Sequence, residues 1–528
     1  MKSYPLSRRH FLRGCLVGLG GVVLAACRPG ETPATPPPLR PTKQPAATAP
    51  AMTVSATPQP RPKNTEGGQK SNPTKAAAQP TPTAQASATA QPASSPAGLE
   101  ILLGRPTAVS VTASLLSTTD CQVVLAYGAQ PGEVSQQTGP VQLKANLPQN
   151  LEITGLQANT RYAYHVLTGS TTSTAHAFQT QRTPGSSFTF TIDADPHNRD
   201  PRFDGELYRR TLANILADKP DFHVNLGDTF MTEKLKPASQ ADVGRTITDM
   251  RPYFGTIGMD VPLYLVNGNH EGELGWLLRS KDKDLPVWSV QMRQQYYPNP
   301  RPDAFYTGSA TTDPTLGAPR DGYYAWTWGD ALLVVLDPFW YTLQKPAQAD
   351  LSDNWNWTLG QEQYRWLAAT LAASKSRYKF IFIHHLVGGS GEARGGIEFA
   401  RLFEWGGSHI DGKYAFDVRR PGWGKPIHQL LVDARVSAVF HGHDHVFVKQ
   451  ALDGVIYQEL PQPNIADYSN TSMAAEYGYK NGDIRSSSGH LRVSVSASQA
   501  TVEYIRAFLP KDEKTGRVNG QSEGKYTL

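Results

Sequence analysis

The chain has 528 residues, a hydrophobic fraction of 39% and a formal net charge of +5 at pH 7, a length that allows two or three domains. The positive charge is concentrated in residues 1–98, whereas residues 99–528 contain slightly more acidic than basic side chains. This distribution excludes nucleic-acid binding through the charge of the folded part.

Residues 1–27 have the features of an export signal. A twin-arginine pattern, SRRHFL at residues 7–12, precedes an apolar run at residues 16–26 that is too short to span a bilayer. The run ends in LAAC, which resembles a bacterial lipoprotein cleavage site, and we expect lipidation of Cys27. An ordinary cleavage site with an incidental cysteine is the alternative. We therefore expect an exported protein, anchored by lipid on the outer face of the cytoplasmic membrane or cell surface, and otherwise periplasmic or secreted.

Residues 28–98 consist mainly of Pro, Thr, Ala, Gln and Ser, with almost no large apolar side chain. Such a segment buries too little surface to offset the entropy cost of ordering, so the composition predicts a disordered tether. Of the three cysteines, Cys15, Cys27 and Cys121, only Cys121 lies beyond this tether. The folded part therefore has no cysteine pair for a disulfide bond.

Residues 99–183 contain short alternating segments separated by turn residues. The segments 108–113, 121–127, 150–153 and 162–167 predict the strands of a small antiparallel β-sandwich. The stretch GLQANTRYAY at residues 155–164 resembles the G-L-x-P-x-T-x-Y-x-Y corner of fibronectin type III-like domains, with alanine in place of proline. We expect no catalytic chemistry in this domain.

Residues 184–510 alternate between strand and helix patterns, and residues 511–528 are expected to form a C-terminal tail. A helix is predicted over 204–217, capped by Asp204, and another over 361–373. Gly329-Asp330 predicts a hairpin between the runs 323–328 and 331–336. Further strands are predicted at 188–192, 222–226, 263–266, 379–383 and 438–440. This mixture predicts an α/β domain, in which functional groups collect at the carboxyl ends of strands.

Five short polar segments follow apolar runs in this domain. They are Asp195-Pro196-His197, Gly227-Asp228, Gly268-Asn269-His270-Glu271, His384-His385 and Gly442-His443-Asp444-His445. Carboxylate, imidazole and amide groups together suit Zn, Fe or Mn, and no thiolate is present among them. Two imidazoles at positions i and i+2 of a tight turn can reach two neighbouring points. The pattern therefore predicts two divalent or trivalent metal ions, without choosing their identity.

In their order along the chain, these segments resemble the D-x-H, G-D, G-N-H-[DE], H, G-H-x-H pattern of the calcineurin-like metallophosphoesterases. The resemblance covers residues 186 to about 508, and the preceding sandwich makes the layout similar to that of purple acid phosphatases. It implies an α/β fold, a four-layer β-sandwich flanked by helices, preceded by a small all-β sandwich domain.

The resemblance also assigns roles to residues. One metal ion is expected at Asp195, His197 and His445, the other at Asn269, His384 and His443, with Asp228 bridging the two. His270 is the expected general acid, and Asn269 and His385 are expected to face the substrate. His384 is favoured over His385 as the ligand, although a leucine follows where proline is usual. Because Thr229-Phe230-Met231 replaces the tyrosine expected after Gly-Asp, an iron-tyrosinate chromophore is not expected.

The implied function is hydrolysis of phosphate monoesters, of the acid phosphatase or nucleotidase type, by metal-bound hydroxide. A phosphodiesterase on the same metal core is the alternative within this class, and a catalytically inactive surface binding protein is the alternative from another class. The expected partner is a small phosphate ester, and the oligomeric state stays undetermined. The sequence also leaves open whether Arg394 contacts phosphate and whether Trp355 and Trp357 line a cleft or pack in the core.

Overall fold

The computed structural model of the protein describes residues 98–129, 134–347 and 350–528. The expected export signal, with Cys27, and residues 28–97 of the expected tether lie outside these residues. Across the described ranges, no helix has both the length and the apolar character needed to cross a membrane.

Residues 99–179 form the small all-β sandwich. Its strands are β1 (Leu99–Gly104), β2 (Val111–Ser117), β3 (Cys121–Gly128), β4 (Gln136–Gln137), β5 (Val141–Leu143), β6 (Gln149–Ile153), β7 (Arg161–Thr168), β8 (Thr171–Thr172) and β9 (His176–Gln179). One sheet has the order β1-β2-β6, and the other is built around the β3–β7 pair. Alternate side chains from both sheets, such as Leu115 and Tyr164, form one apolar core.

The beginning of the sandwich differs from the predicted pattern. Strand β1 was not predicted, and β2 begins three residues after the start of the segment 108–113. The cause is a turn in which the Thr107 hydroxyl accepts hydrogen bonds from the backbone N–H groups of Val109 and Ser110. These bonds hold the residues before Val111 out of the strand.

The following α/β region contains two large sheets. Its strands are β10 (Phe188–Asp193), β11 (Phe222–Asn225), β12 (Leu263–Leu265), β13 (Thr307–Gly308), β14 (Thr312–Asp313), β15 (Ala318–Pro319), β16 (Tyr324–Trp328), β17 (Ala331–Val335), β18 (Tyr378–Phe382), β19 (Ala438–His441), β20 (Phe447–Leu452), β21 (Val455–Glu459), β22 (Asp483–Arg485), β23 (Gly489–Val495), β24 (Ala500–Arg506) and β25 (Ser522–Thr527). The sheet orders are β12-β11-β10-β23-β24-β25 and β13-β16-β17-β18-β19-β21-β20-β22.

The helices lie outside the two sheets. They are α1 (Gly205–Ala217), α2 (Gln240–Thr248), α3 (Arg251–Gly258), α4 (Asp284–Tyr296), α5 (Gly360–Ala373), α6 (Phe403–Gly406), α7 (Phe416–Arg419), α8 (Ile427–Asp433) and α9 (Ser472–Glu476), with 3-10 turns at Thr232–Lys234, Gly275–Leu277, Leu351–Asn356, Gly391–Ala393 and Pro510–Asp512. Helices α1 to α4 share an apolar cluster with the outer face of the six-stranded sheet. Helices α5 and α8 do the same on the eight-stranded sheet.

The inner faces of the two sheets pack against each other through aromatic rings. Phe190 of β10 lies 5.2 Å from Phe222 of β11 and 6.0 Å from Phe382 of β18, measured between ring centroids. These rings belong to one buried cluster that draws on both sheets. With the helices outside, the region has four layers, and the predicted fold class is confirmed.

Several predicted local features are present in the structure. Helix α1 begins after Asp204, whose carboxylate accepts hydrogen bonds from the backbone N–H groups of Glu206 and Leu207. Trp328 pairs with Ala331, so that Gly329-Asp330 forms a two-residue hairpin loop. The segment 511–528, however, is not a separate tail, because β25 pairs antiparallel with β24 and completes the six-stranded sheet.

The sandwich is joined to the α/β region through α3 and the residues that follow it. The Arg251 side chain is fully buried and donates hydrogen bonds to Ser114 of β2. The Tyr164 hydroxyl donates to the backbone carbonyl of Met259 at 2.6 Å. Asp260 accepts a hydrogen bond from the backbone N–H of Ala177 at 2.8 Å. Buried polar contacts of this kind fix the orientation of two packed elements.

Candidate active site

The five polar segments lie at one edge of the paired sheets. Strands β10, β11 and β12 run parallel to one another, as do β18 and β19 in the facing sheet. Each of these five strands ends just before one of the segments that contain Asp195, Asp228, Asn269, His384 and His443. Since the carboxyl ends of parallel strands meet at one edge, residues far apart in sequence converge there.

The converging side chains form three overlapping groups. Within each group, one possible metal-binding atom per residue lies within 4.8 Å of the others. Asn269 is adjacent to them, with its amide oxygen 3.2 Å from Nε2 of His384. The structure therefore brings together all seven predicted ligands and His270. The groups are Asp195, His197 and His445; Asp228, His384 and His443; and His197, Asp228 and His270.

The donor atoms of this site fit metal ions. Three of these atoms are buried and have no hydrogen-bond partner among the described residues. They are Oδ1 of Asp195, Nε2 of His197 and Nδ1 of His443. Buried polar atoms without a partner are rare because their desolvation is not compensated. These atoms would hold a bound cation, and carboxylate, imidazole and amide donors suit borderline or hard ions.

The charge balance of the site also favours cations. Burial by itself raises the pKa of the Asp195 and Asp228 carboxyl groups, but the neighbouring imidazoles outweigh it and hold both pKa values well below their usual range. Burial likewise opposes the protonation of His197, yet Asp195 and Asp228 raise the pKa of His197 to about 10. The two carboxylates thus favour positive charge in the pocket, and a bound metal ion would supply it in place of protons.

The ligand side chains are held by strained turns. The residues Asp195, His197, Asp228, His443 and His445 all have a positive φ, between 52° and 82°. This backbone region is costly for residues with a side chain and is found mainly where surrounding contacts enforce it. Gly442 is required in one of these turns, since a Cβ atom there would lie 2.5 Å from a carboxylate oxygen of Asp195.

Glu271 joins two of the ligand-bearing loops. Its carboxylate accepts hydrogen bonds from the backbone N–H groups of Asp228, Thr229 and Gly268 at 2.6–3.0 Å. Burial, together with the nearby charge of Asp228, raises the pKa of Glu271 to about 7. Glu271 therefore fixes the positions of Asp228 and Asn269 relative to each other from behind the site.

A buried ion-pair network supports the same region. Glu273 pairs with Arg293 of α4 and with Arg320, which also pairs with Asp337 at the end of β17. Because all four side chains are almost fully buried, removing one partner leaves an uncompensated charge, which typically costs about 3–5 kcal/mol. The sequence pattern did not identify this network, whose members lie up to 64 positions apart.

His270 has a carboxylate partner that the sequence analysis missed. Its backbone N–H donates to Oδ1 of Asp228 at 2.8 Å, and its ring Nδ1 contacts the carboxylate of Glu233. The other ring nitrogen, Nε2, lies 3.7 Å from Oδ2 of Asp228. Glu233 belongs to the 3-10 turn Thr232–Lys234. The only feature of the sequence that could have indicated this contact is that Glu233 lies in the loop that follows Gly227-Asp228.

His384 and His385 point in different directions. His384 belongs to a metal-ligand group, whereas no such group includes His385. The His385 ring packs instead between Phe339 and Trp357, at 4.9 and 4.7 Å between centroids. Burial and the charge of His384 lower the pKa of His385 to about 3. His385 is not among the described residues that line the adjoining cleft.

A cleft of about 460 Å³ opens beside the metal-ligand groups. Asn269, His270 and His443 form part of its wall, and so does Trp357. Arg394 also lines it, but its guanidinium donates to the backbone carbonyl of His443 at 2.5 Å and to Asp444 at 3.2 Å. Arg394 therefore holds the turn that carries His443. The complete lining is Glu233, Lys234, Leu235, Lys236, Ala238, Asn269, His270, Leu274, Trp276, Leu277, Asp282, Leu285, Lys345, Trp357, Glu392, Arg394 and His443.

Comparisons with known proteins agree with this architecture. The family model described as calcineurin-like phosphoesterase matches residues 188–447, while no curated protein matches the chain. The structure is similar to that of PhoD, with 15% identity, a TM-score of 0.56 and coverage of 77% of this chain and 86% of that one. It is also similar to the purple acid phosphatase PPD1 from yellow lupin (Lupinus luteus) seeds, with 14% identity, a TM-score of 0.51 and coverage of 81% and 73%.

Because the two similar structures are only 15% and 14% identical to this chain, they show its fold alone. The type of domain is shown by the family model that matches residues 188–447. The chain therefore contains a calcineurin-like metallophosphoesterase domain. With its phosphatase-like fold and its clustered ligands, the protein is a metal-dependent phosphoric ester hydrolase.

Metal binding should stabilise the folded protein, and this stabilisation should depend on Asp228. We expect Zn²⁺ at about 100 times its dissociation constant to add about 2.7 kcal/mol to the free energy of unfolding, measured by denaturation with and without metal. In Asp228→Asn most of this increment should disappear, because Asp228 belongs to two of the three ligand groups. Asp120→Asn, which changes an exposed carboxylate of the sandwich, should retain it. An equal increment in both variants would contradict the assignment.

Proposed function

We propose that the protein hydrolyses phosphate monoesters, as an acid phosphatase or nucleotidase, with two metal ions in one site. The observation that carries this proposal is the pair of adjacent groups Asp195-His197-His445 and Asp228-His384-His443, to which Asn269 adds an amide oxygen. Two cations bound there supply the charge that activates water and neutralises phosphoryl oxygens.

The chain itself supplies a proton donor for the leaving group. His270 lines the cleft and is 15% exposed at its side chain. Because Glu233 contacts Nδ1 of this ring, it selects the tautomer and orientation in which Nε2 is left for the substrate. When both ring nitrogens carry a proton, the proton at Nε2 passes to the leaving oxygen as the ester bond breaks, and the one at Nδ1 stays with Glu233. Asn269 and His443, on the same wall, position the phosphoryl group.

A phosphodiesterase on the same metal core is the second candidate. The cleft, with a volume of about 460 Å³, has room for the second ester group of a phosphodiester, and this observation favours the phosphodiesterase. A catalytically inactive binding protein is less well supported, because all seven ligands and His270 are present and converge. The three possibilities differ in metal content and in turnover.

Hydrolysis of two aryl esters tests the proposal. We expect the full-length protein loaded with Zn²⁺, Mn²⁺ or Fe to hold close to two metal ions per chain, measured by elemental analysis. Its kcat/KM for 4-nitrophenyl phosphate should exceed that for bis(4-nitrophenyl) phosphate by at least about tenfold. The reverse order would establish the diesterase instead. If neither ester turns over with any of these metals, the proposed function is wrong.

Glu233→Gln should affect substrates according to their leaving group. General acid catalysis typically contributes about 10²–10⁴-fold, and it matters most when the leaving oxygen is strongly basic. We expect Glu233→Gln to lower kcat for glycerol phosphate by about 10²-fold, with little effect on 4-nitrophenyl phosphate and with KM nearly unchanged for both.

Asp282→Asn provides the matched control for Glu233, since Asp282 lines the same cleft and forms no ion pair within the described residues. It should leave kcat for both esters unchanged. An equal loss on the two esters in Glu233→Gln would indicate a structural role for Glu233 and not the positioning of His270.

We also propose that the protein is exported through its twin-arginine signal and anchored by a lipid on Cys27, with residues 28–98 as a tether and a fibronectin type III-like sandwich between tether and enzyme. The sequence patterns given above support this proposal. Cys27→Ser should move the protein from the membrane fraction to the soluble fraction and abolish incorporation of labelled fatty acid. Cys121→Ser, in the sandwich, should do neither. Membrane association that persists in Cys27→Ser would rule out this anchor.

A further inference from the structure

A row of aromatic rings extends from the metal-ligand groups into the cleft. The rings of His443 and His385 lie 5.4 Å apart, those of His385 and Trp357 4.7 Å, and those of Trp357 and Trp276 5.7 Å, between centroids. Both tryptophans line the cleft. His443 is therefore connected by tilted and edge contacts to Trp276, a ring that lines the cleft.

The wall around these tryptophans is apolar. Leu235, Leu274 and Leu277 lie beside them in the lining of the cleft. Trp357 is only 2% exposed and forms the fixed base of the wall, whereas Trp276 is partly exposed. The exposed part of an indole offers a flat apolar surface, and flat rings pack favourably on such surfaces. A substrate whose phosphoryl group lies at the metal site can thus place a ring on Trp276.

Two lysines at the cleft have no charged partner among the described residues. Lys236 and Lys345 are exposed, line the cleft and form no ion pair within the described ranges. By contrast, Lys234 pairs with Glu233 at 2.8 Å. The ammonium group of Lys345 lies 5.8 Å from the ring centroid of Trp276. A ligand that covers this ring meets the Lys345 ammonium, and a negative substituent there forms an ion pair with it.

We propose that the site selects phosphate esters whose leaving group is a flat aromatic ring system that carries a second anionic group. This inference rests on the proposed function and names its substrate class. The ring lies against Trp276, and the second anion lies at Lys345. Hydrolysis breaks the ester bond, water provides the oxygen that the phosphate gains, and the proton from His270 completes the hydroxyl group of the aromatic product. Trp276 and Lys345 are specificity-determining residues and take no part in bond breaking.

Equilibrium binding of phosphonates, which are not hydrolysed, tests this inference without turnover. The metal-loaded full-length protein is titrated calorimetrically with methylphosphonate, 2-naphthylphosphonate and 6-carboxy-2-naphthylphosphonate. We expect the naphthyl ring to improve affinity by about tenfold over methyl and the carboxylate to improve it by about a further threefold.

Five variants assign these gains to residues. Trp276→Ala should remove the naphthyl preference, while Trp366→Ala, which changes a partly exposed tryptophan outside the cleft, should keep it. Lys345→Ala should remove only the gain from the carboxylate, while Lys375→Ala, an exposed lysine of the same kind elsewhere, should keep both gains. Trp276→Phe should retain most of the ring preference, which separates loss of stacking from local unfolding.

The outcomes distinguish this inference from the proposed function. If the wild-type protein binds methylphosphonate and naphthylphosphonate equally, or if Trp276→Ala keeps the preference, the inference is overturned, and hydrolysis of 4-nitrophenyl phosphate by the same sample leaves the proposed function intact. If the ring and carboxylate preferences are present but no phosphate ester turns over, the selective cleft is supported and the proposed function is overturned.

Discussion

The structure depends on two buried carboxylates, Asp195 and Asp228, which are 0% and 1% exposed. A carboxylate removed from water is costly unless positive charge or hydrogen-bond donors surround it. Here the surrounding groups are mainly imidazoles, which hold the pKa values of both carboxyl groups low and are themselves drawn toward protonation, as for His197. Since metal ions compensate the same charge, metal binding and the stability of this region are coupled.

The scaffold supplies the convergence that these carboxylates require. Two sheets packed through aromatic rings place the carboxyl ends of their parallel strands at one edge. Behind that edge, Glu271 accepts backbone hydrogen bonds from two ligand loops, and Glu273 pairs with two buried arginines. The strained φ angles of the ligand residues persist because these contacts determine the backbone.

Chemistry and selectivity come from different parts of the molecule. The candidate metal ligands follow core strands, and a shared fold by itself says little about the substrate. The cleft is shaped instead by connecting segments, with Glu233 in the turn Thr232–Lys234, Trp276 in the turn Gly275–Leu277, and Lys345 and Trp357 after β17. Loops of this length tolerate sequence change, so the shape of a cleft can vary while the strands behind it stay the same.

The sequence by itself determined the features that depend on neighbouring residues. The alternation of Phe188 to Ile192 specified a strand, Asp204 specified a helix start, and Gly329-Asp330 specified a hairpin, because each is set by contacts within a few positions. The candidate metal ligands were also recognisable in the sequence, since their residue types are restricted by coordination chemistry and each follows a strand. Their resemblance to a known pattern supplied the order in which the loops converge.

Only the tertiary structure decided which side chains meet across those loops. Glu233 contacts His270 over 37 positions, and Lys345 lies at Trp276. The His385 ring packs between Phe339 and Trp357, and β25 pairs with β24, although residues 511–528 were expected to form a tail. No local pattern encodes such pairings, because a charged or aromatic residue in a loop has the same sequence appearance whether it faces solvent, substrate or the core. The direction of each side chain is set by packing against residues distant in the chain, and this packing exists only in the folded protein.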